Sequence, residues 1–148
     1  MNLGIKGKRA LITGAGRGLG AAMAESLARE GAQVGIVSRT ASDIELLLNR
    51  IGGAAGGHFG MPLDLMPDGA PARLVGALKN ASFWPIDIII HNLGGTLDIN
   101  DPYCPVEEWR RVWRFNIEVC IELNLLLIPG MRERKWGRIV LVSSISSM

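Results

Sequence analysis

Short apolar runs recur along the chain at residues 10–12, 34–37, 58–63, 86–90 and 139–142, and segments with apolar positions at three- and four-residue steps lie between most of them. This alternation predicts the order βαβαβαβαβ. Parallel neighbours are joined only by crossovers, normally helical and right-handed, so the pattern implies an α/β fold with a parallel sheet covered on both faces. The first helix is expected over 19–29, closed by Gly31. The second follows a Ser42-Asp43 cap and fades into the glycines of 52–57. The third covers 68–80, with Pro71 tolerated in its first turn. Residues 93–105 carry Gly and Pro without periodicity, a loop at the carboxyl end of the fourth strand, where open α/β sheets bind ligands.

A long helix should span 106–128. Its stripe of Trp109, Val112, Trp113, Asn116, Cys120, Leu123 and Leu127 puts Asn116 on or beside the apolar face, where a polar group needs a partner. A further apolar set, Ile117, Ile121, Leu125 and Ile128 together with the two tryptophans, leaves more apolar surface than one core contact uses.

Composition narrows the function classes. The 148 residues suit one domain over 1–148, and no linker, repeat or low-complexity tract divides them. The net charge of +2 is small, and the bases around Arg110–Arg114 and 132–138 are interleaved with Glu107, Glu108, Glu118 and Glu133, a solvated helix face and not a nucleic-acid partner surface. Cys104 and Cys120 form no CxxC pair, so no metal site is expected and both read as reduced thiols of a cytoplasmic protein. A strand pattern begins within the first dozen residues with no secretory h-region ahead of it, and the longest apolar runs, 86–90 and 123–128, are far shorter than a bilayer span, the second ending at Pro129. No membrane partner is expected.

Chemistry enters directly after the first strand, at Thr13-Gly14-Ala15-Gly16-Arg17-Gly18-Leu19-Gly20. Strand, glycine turn and helix follow one another here. Glycine is needed where backbone must come within contact distance of a ligand, and the free N–H groups and dipole at a helix start favour a pyrophosphate. As G-x-G-x-x-G the match fails, because Leu19 stands in the third glycine's place; as T-G-x-x-x-G-x-G it holds at Thr13, Gly14, Gly18 and Gly20. With that second spacing the sequence resembles the short-chain dehydrogenases/reductases. The resemblance implies a Rossmann-like doubly wound sheet, a dinucleotide cofactor and hydride transfer.

The second strand ends Ser38-Arg39, about 20 residues past the turn, where a dinucleotide site reads the adenosine ribose. A carboxylate there would favour NAD. Serine followed by Arg39, with Arg17 in the turn, instead suits a 2′-phosphate held by charge-assisted bonds, so NADP (NADPH) is expected over NAD. By the same resemblance Asp64-Leu65 stands where relatives accept from the adenine amino group. His91-Asn92-Leu93-Gly94 resembles the family's Asn-Asn-Ala-Gly, with Asn92 bracing the sheet, Gly94 admitting the cofactor, and His91 and Leu93 departing from the pattern. His91 reads as a core-edge histidine.

In relatives a tyrosine moves the proton, a lysine lowers its pKa, a serine holds the substrate oxygen and a helix asparagine positions a water. Asn116 and Ser144 match the last two, with Ser143 and Ser146 as alternatives to Ser144. The Tyr-x-x-x-Lys pair is expected about a dozen residues after the serine. Tyr103 and Lys135 do not match it. The expectation is a chain truncated before that pair, its sheet incomplete at the C-terminal side and its last strand an apolar edge. Three readings remain. The chain is the N-terminal part of an NADP-dependent oxidoreductase of a carbonyl/alcohol substrate, a homo-oligomer built on the 106–128 helix; or it is a truncated, non-catalytic nucleotide-binding or dimerising protein; or it is a truncated gene product with no stable function.

Overall fold

The computed structural model describes residues 3–144. Five strands, β1 (Arg9–Thr13), β2 (Gln33–Ser38), β3 (Phe59–Pro62), β4 (Ile88–His91) and β5 (Arg138–Leu141), form one parallel sheet in the order β3-β2-β1-β4-β5. Helices α1 (Gly18–Arg29), α2 (Ala41–Ile51), α3 (Ala70–Asn80), α4 (Val106–Trp113) and α5 (Val119–Glu133) complete it, α4 and α5 being joined by a π-helical turn at Arg114–Glu118.

Strand periodicity explains the two layers of helix. Ala10 and Ile12 of β1 and Ile88 and Ile90 of β4 face α1 and α2, whereas Leu11 and Ile89 face α3 and α5. Both faces are thus buried, which is why the strands read as continuous apolar runs. Leu123 and Leu127 are almost wholly buried and anchor α5 on the sheet, each contributing about 1.5–3 kcal/mol. The chain moves outward from β1 to β3 and then returns to lay β4 on the other side of β1. This Rossmann-like reversal opens a crevice between the carboxyl ends of β1 and β4.

Several boundaries differ from expectation for identifiable reasons. β3 starts at Phe59, because the His58 ring Nδ1 already accepts the Val34 N–H at 3.0 Å. β4 starts at Ile88; the Asp87 carboxylate takes the Arg9 N–H at 3.0 Å. α2 begins at Ala41 with Thr40 before it and no side-chain cap, so Ser42 and Asp43 lie inside its first turn and do not cap it. Gly69, at φ +74, precedes α3, two residues later than the expected start.

The long helix departs most. It runs on to Glu133 with Pro129 inside it. The proline frees the carbonyl four residues back, at Leu125, which lies on the exposed side at 71% and can be hydrated. The π turn also changes the helix's phase. The buried stripe is Phe115, Val119, Leu123, Leu127 and Met131, while Trp109 and Trp113 are more than half exposed and Asn116 and Cys120 half-buried. Only Leu123 and Leu127 of the expected stripe keep that role. Ile117, Ile121 and Leu125 are exposed, as the surplus apolar set implied. β5 pairs with β4 on one side, and its residues are exposed among those described, so the sheet is open there. No helix among the described residues is long and apolar enough to cross a membrane.

Candidate functional site

The turn after β1 is held from below by Thr13 and Asn92. The buried Thr13 hydroxyl accepts the N–H groups of Asn92 and Leu93 at 3.1 and 3.2 Å, and Asn92 Nδ2 donates to the Gly14 carbonyl at 2.9 Å. The Ala15 N–H reaches the Val37 carbonyl at 3.2 Å. Three strand ends are therefore stitched together. Glycine is required by close approach: a Cβ on Gly20 would lie 2.6 Å from the Gly14 oxygen and 2.7 Å from Asn92 Nδ2, and one on Gly16 would lie 2.6 Å from Ser38 Oγ. Gly20, not position 19, is where helix and turn touch. Leu19 is 60% exposed and lines nothing in the crevice.

A cavity of about 220 Å³ fills the crevice. Of the expected residues, Gly14, Gly16, Arg17, Ser38, Arg39, Asp64, Leu65, Asn92, Leu93 and Gly94 line it. Thr13 and Gly20 lie buried beneath it, and Gly18 opens instead onto a neighbouring hollow shared with Arg17. Sequence reasoning missed Val37, Thr40, Asp43, Leu63 and Phe115 in the lining. Asp43 reads in sequence as part of a helix cap, and Phe115 is turned inward by the π turn.

The amino end of α1 suits an anion. No side chain caps it and no acidic residue occupies its first turn, so its orphan N–H groups and dipole are left for a ligand. Arg17 and Arg39 flank that end. The diphosphate and adenosine of a dinucleotide fit these residues: backbone at Gly14 and Gly16, cations at one side, and Asp64 and Leu65 beyond them.

Asn116 grips the far rim. Its Oδ1 accepts the Gly95 N–H at 3.0 Å, and its Nδ2 donates to the Gly95 and Val112 carbonyls, both at 2.8 Å. Ser143 and Ser144 follow β5 at the same carboxyl edge and are exposed; neither lines the cavity. Ser146 lies outside the described residues.

His91 is buried at the end of β4. Its Nε2 stands 2.8 Å from Asn124 Oδ1, whose amide in turn donates to Cys120 Sγ at 3.6 Å. Asn124 carried no signal in the sequence beyond its helical position. Burial pushes the His91 imidazole below its ordinary value of 6.5, against the raising effect of the Asn124 bond, and burial pushes the Cys120 thiol up. The unfolded chain then takes up the His91 proton first. The contribution of this group to stability is full above pH 6.5 and declines as pH falls. Denaturant unfolding at pH 7.5 and 5 should show a smaller acid loss in His91→Gln than in the parent, and equal losses would remove His91 as a cause.

The short chain dehydrogenase family profile matches residues 8–148. The chain belongs to the short chain dehydrogenase family. It is 35% identical over 144 residues to the ketoacyl reductase HetN of Nostoc sp., covering 96% of this chain and 49% of that protein. Among solved structures, L-sorbose reductase from Gluconobacter frateurii in complex with NADPH and L-sorbose superposes with a TM-score of 0.88 at 29% identity, covering 100% of this chain and 56% of that one. A 7α-hydroxysteroid dehydrogenase in complex with NADH and 7-oxo glycochenodeoxycholic acid gives a TM-score of 0.87 at 27% identity, covering 99% and 56%. This short chain dehydrogenase chain thus spans about half the length of the curated relatives it matches.

Proposed function

We propose that the chain is the cofactor-binding part of a cytoplasmic, NADP-dependent oxidoreductase acting on a carbonyl or alcohol, with residues 1–148 forming one nucleotide-binding domain. The observation that carries this reading is the crevice at the β1/β4 reversal, where the Asn92-braced glycine turn and the uncapped end of α1 meet Arg17 and Arg39. When bound, the nicotinamide supplies or accepts the hydride. The protein's part is to bind and orient: backbone at Gly14, Gly16 and Gly94 admits the ligand, the two guanidiniums favour a 2′-phosphate, and Asp64 stands ready to accept from the adenine. Asn116 holds the Gly95 segment at the rim, and Ser144, three residues past β5, is assigned to the substrate oxygen.

Relatives carrying NADPH and NADH support a nicotinamide nucleotide, and the residues at the ribose end favour NADP. The exposed Trp109, Trp113, Ile117, Ile121 and Leu125 support a homo-oligomer built on the 106–128 helix. Residues 1–148 offer no match to the family's tyrosine and lysine, so binding is the direct test. Titration with NADPH, followed by tryptophan and nicotinamide fluorescence, is expected to saturate. No saturation with either NADPH or NADH at millimolar concentration would end this reading.

A further inference from the structure

Arg114, at the start of the π turn, has a side chain only 16% exposed and spends its donors on a loop far away in sequence. Its Nε donates to the Met66 carbonyl and its Nη2 to the Pro67 carbonyl at 3.3 Å. Nη1 is held on the other side by Glu122 at 2.8 Å and Glu118 at 3.3 Å, and Asp68 lies 3.7 Å from Nη2. A guanidinium is a rigid planar fork, so fixing one edge with two carboxylates aims the other. The loop it grips has its own internal bond: Asp64 Oδ1 accepts the Met66 N–H at 2.9 Å, while Leu65 is buried in the core. Asp64 and Leu65 line the candidate cavity, two residues and one residue before the first gripped carbonyl, that of Met66.

The geometry points to Arg114 as a positioning residue for the adenosine end of the site: through Met66 and Pro67 it sets the Asx turn that presents Asp64. This rests on the nucleotide-site reading above. Residues 114 to 116 then divide the work. Arg114 fixes the loop at 64–68, Phe115 lines the cavity and Asn116 fixes Gly95, so the π turn joins both rims of the crevice. An exposed ion pair would have little such leverage, but here charged donors meet backbone carbonyls, bonds that are worth more than neutral ones.

The test compares the parent chain with Arg114→Lys, which keeps the charge but loses the fork, and Arg114→Met. Both are expected to bind 2′,5′-ADP, the adenosine half of NADPH, roughly tenfold more weakly. Amide hydrogen exchange should rise across residues 65–68 and stay unchanged across the glycine turn. Unchanged 2′,5′-ADP affinity in a parent that binds it would overturn the inference alone. Weakened affinity with equal loosening of both segments would overturn it too, since that marks a general structural role. A parent chain that binds no nucleotide removes the site reading and this inference together. If Arg114→Met does not fold, Arg114→Lys decides.

Discussion

Gly20→Ala is expected to destabilise the chain by about 1–3 kcal/mol and to abolish measurable NADPH binding, although alanine is the better helix former. Two effects oppose each other. Within α1 the exchange would gain up to about 1 kcal/mol from helix propensity. The added methyl, however, would stand 2.6 Å from the Gly14 oxygen, 2.7 Å from Asn92 Nδ2 and 2.8 Å from the Ala15 Cα. Two of these three neighbours are backbone, and the third is the amide that holds Gly14. None can swing aside as a flexible side-chain end would. Relief has to come from moving α1 off the turn, which breaks the Asn92–Gly14 bond and displaces the N–H groups proposed to hold the diphosphate. Guanidinium-induced unfolding and an NADPH titration on the same preparation measure both parts. Parent-like stability with parent-like binding would show that the turn tolerates a Cβ, and the close-packing account would be lost.

The same position shows how far sequence reaches. The spacing T-G-x-x-x-G-x-G is a local pattern, and its glycines were legible because only glycine meets the steric demand of that turn. The parallel sheet is legible for a related reason: apolar runs that alternate with helical segments need crossovers and burial on both faces, whereas the order of the strands in the sheet comes from the fold. The phase of the long helix is not legible either. Periodicity counting assumes one residue every hundred degrees, and the π turn at Arg114–Glu118 breaks that count in mid-helix. Asn116 does find the partners that a polar group on that face needs, yet a stripe through it requires an unbroken helix. Phe115, its neighbour, turns out to be the buried residue at 8% exposure. Arg114 looked like one base among several on a solvated face, because its partners at Met66 and Pro67 lie nearly fifty residues away and only the fold brings them near. Asp43 was misread for a simpler reason. Its type and place suit an N-cap, but the helix starts at Ala41, which releases the carboxylate toward the cavity.

That correction sharpens the second large prediction, Arg39→Asp. At the ribose end of the cavity two cations, Arg17 and Arg39, meet one carboxylate, Asp43. The substitution leaves one cation against two carboxylates, so the local charge changes sign. A 2′-phosphate then loses a charge-assisted partner and gains a repulsive one, while the ribose hydroxyls of NADH gain an acceptor. Both arginines are exposed, and solvent screening holds the swing to about 2 kcal/mol, or roughly thirtyfold in the NADPH to NADH affinity ratio. The effect should shrink as salt is raised from 0.05 to 0.5 M, on the order of what screening of an exposed pair allows. A change caused by misfolding would instead weaken both nucleotides alike and ignore salt. Parallel titrations of the parent and the variant with NADPH and NADH at two ionic strengths separate these outcomes. An unaltered ratio would leave Arg39 a surface residue and the choice of NADP without its charge argument.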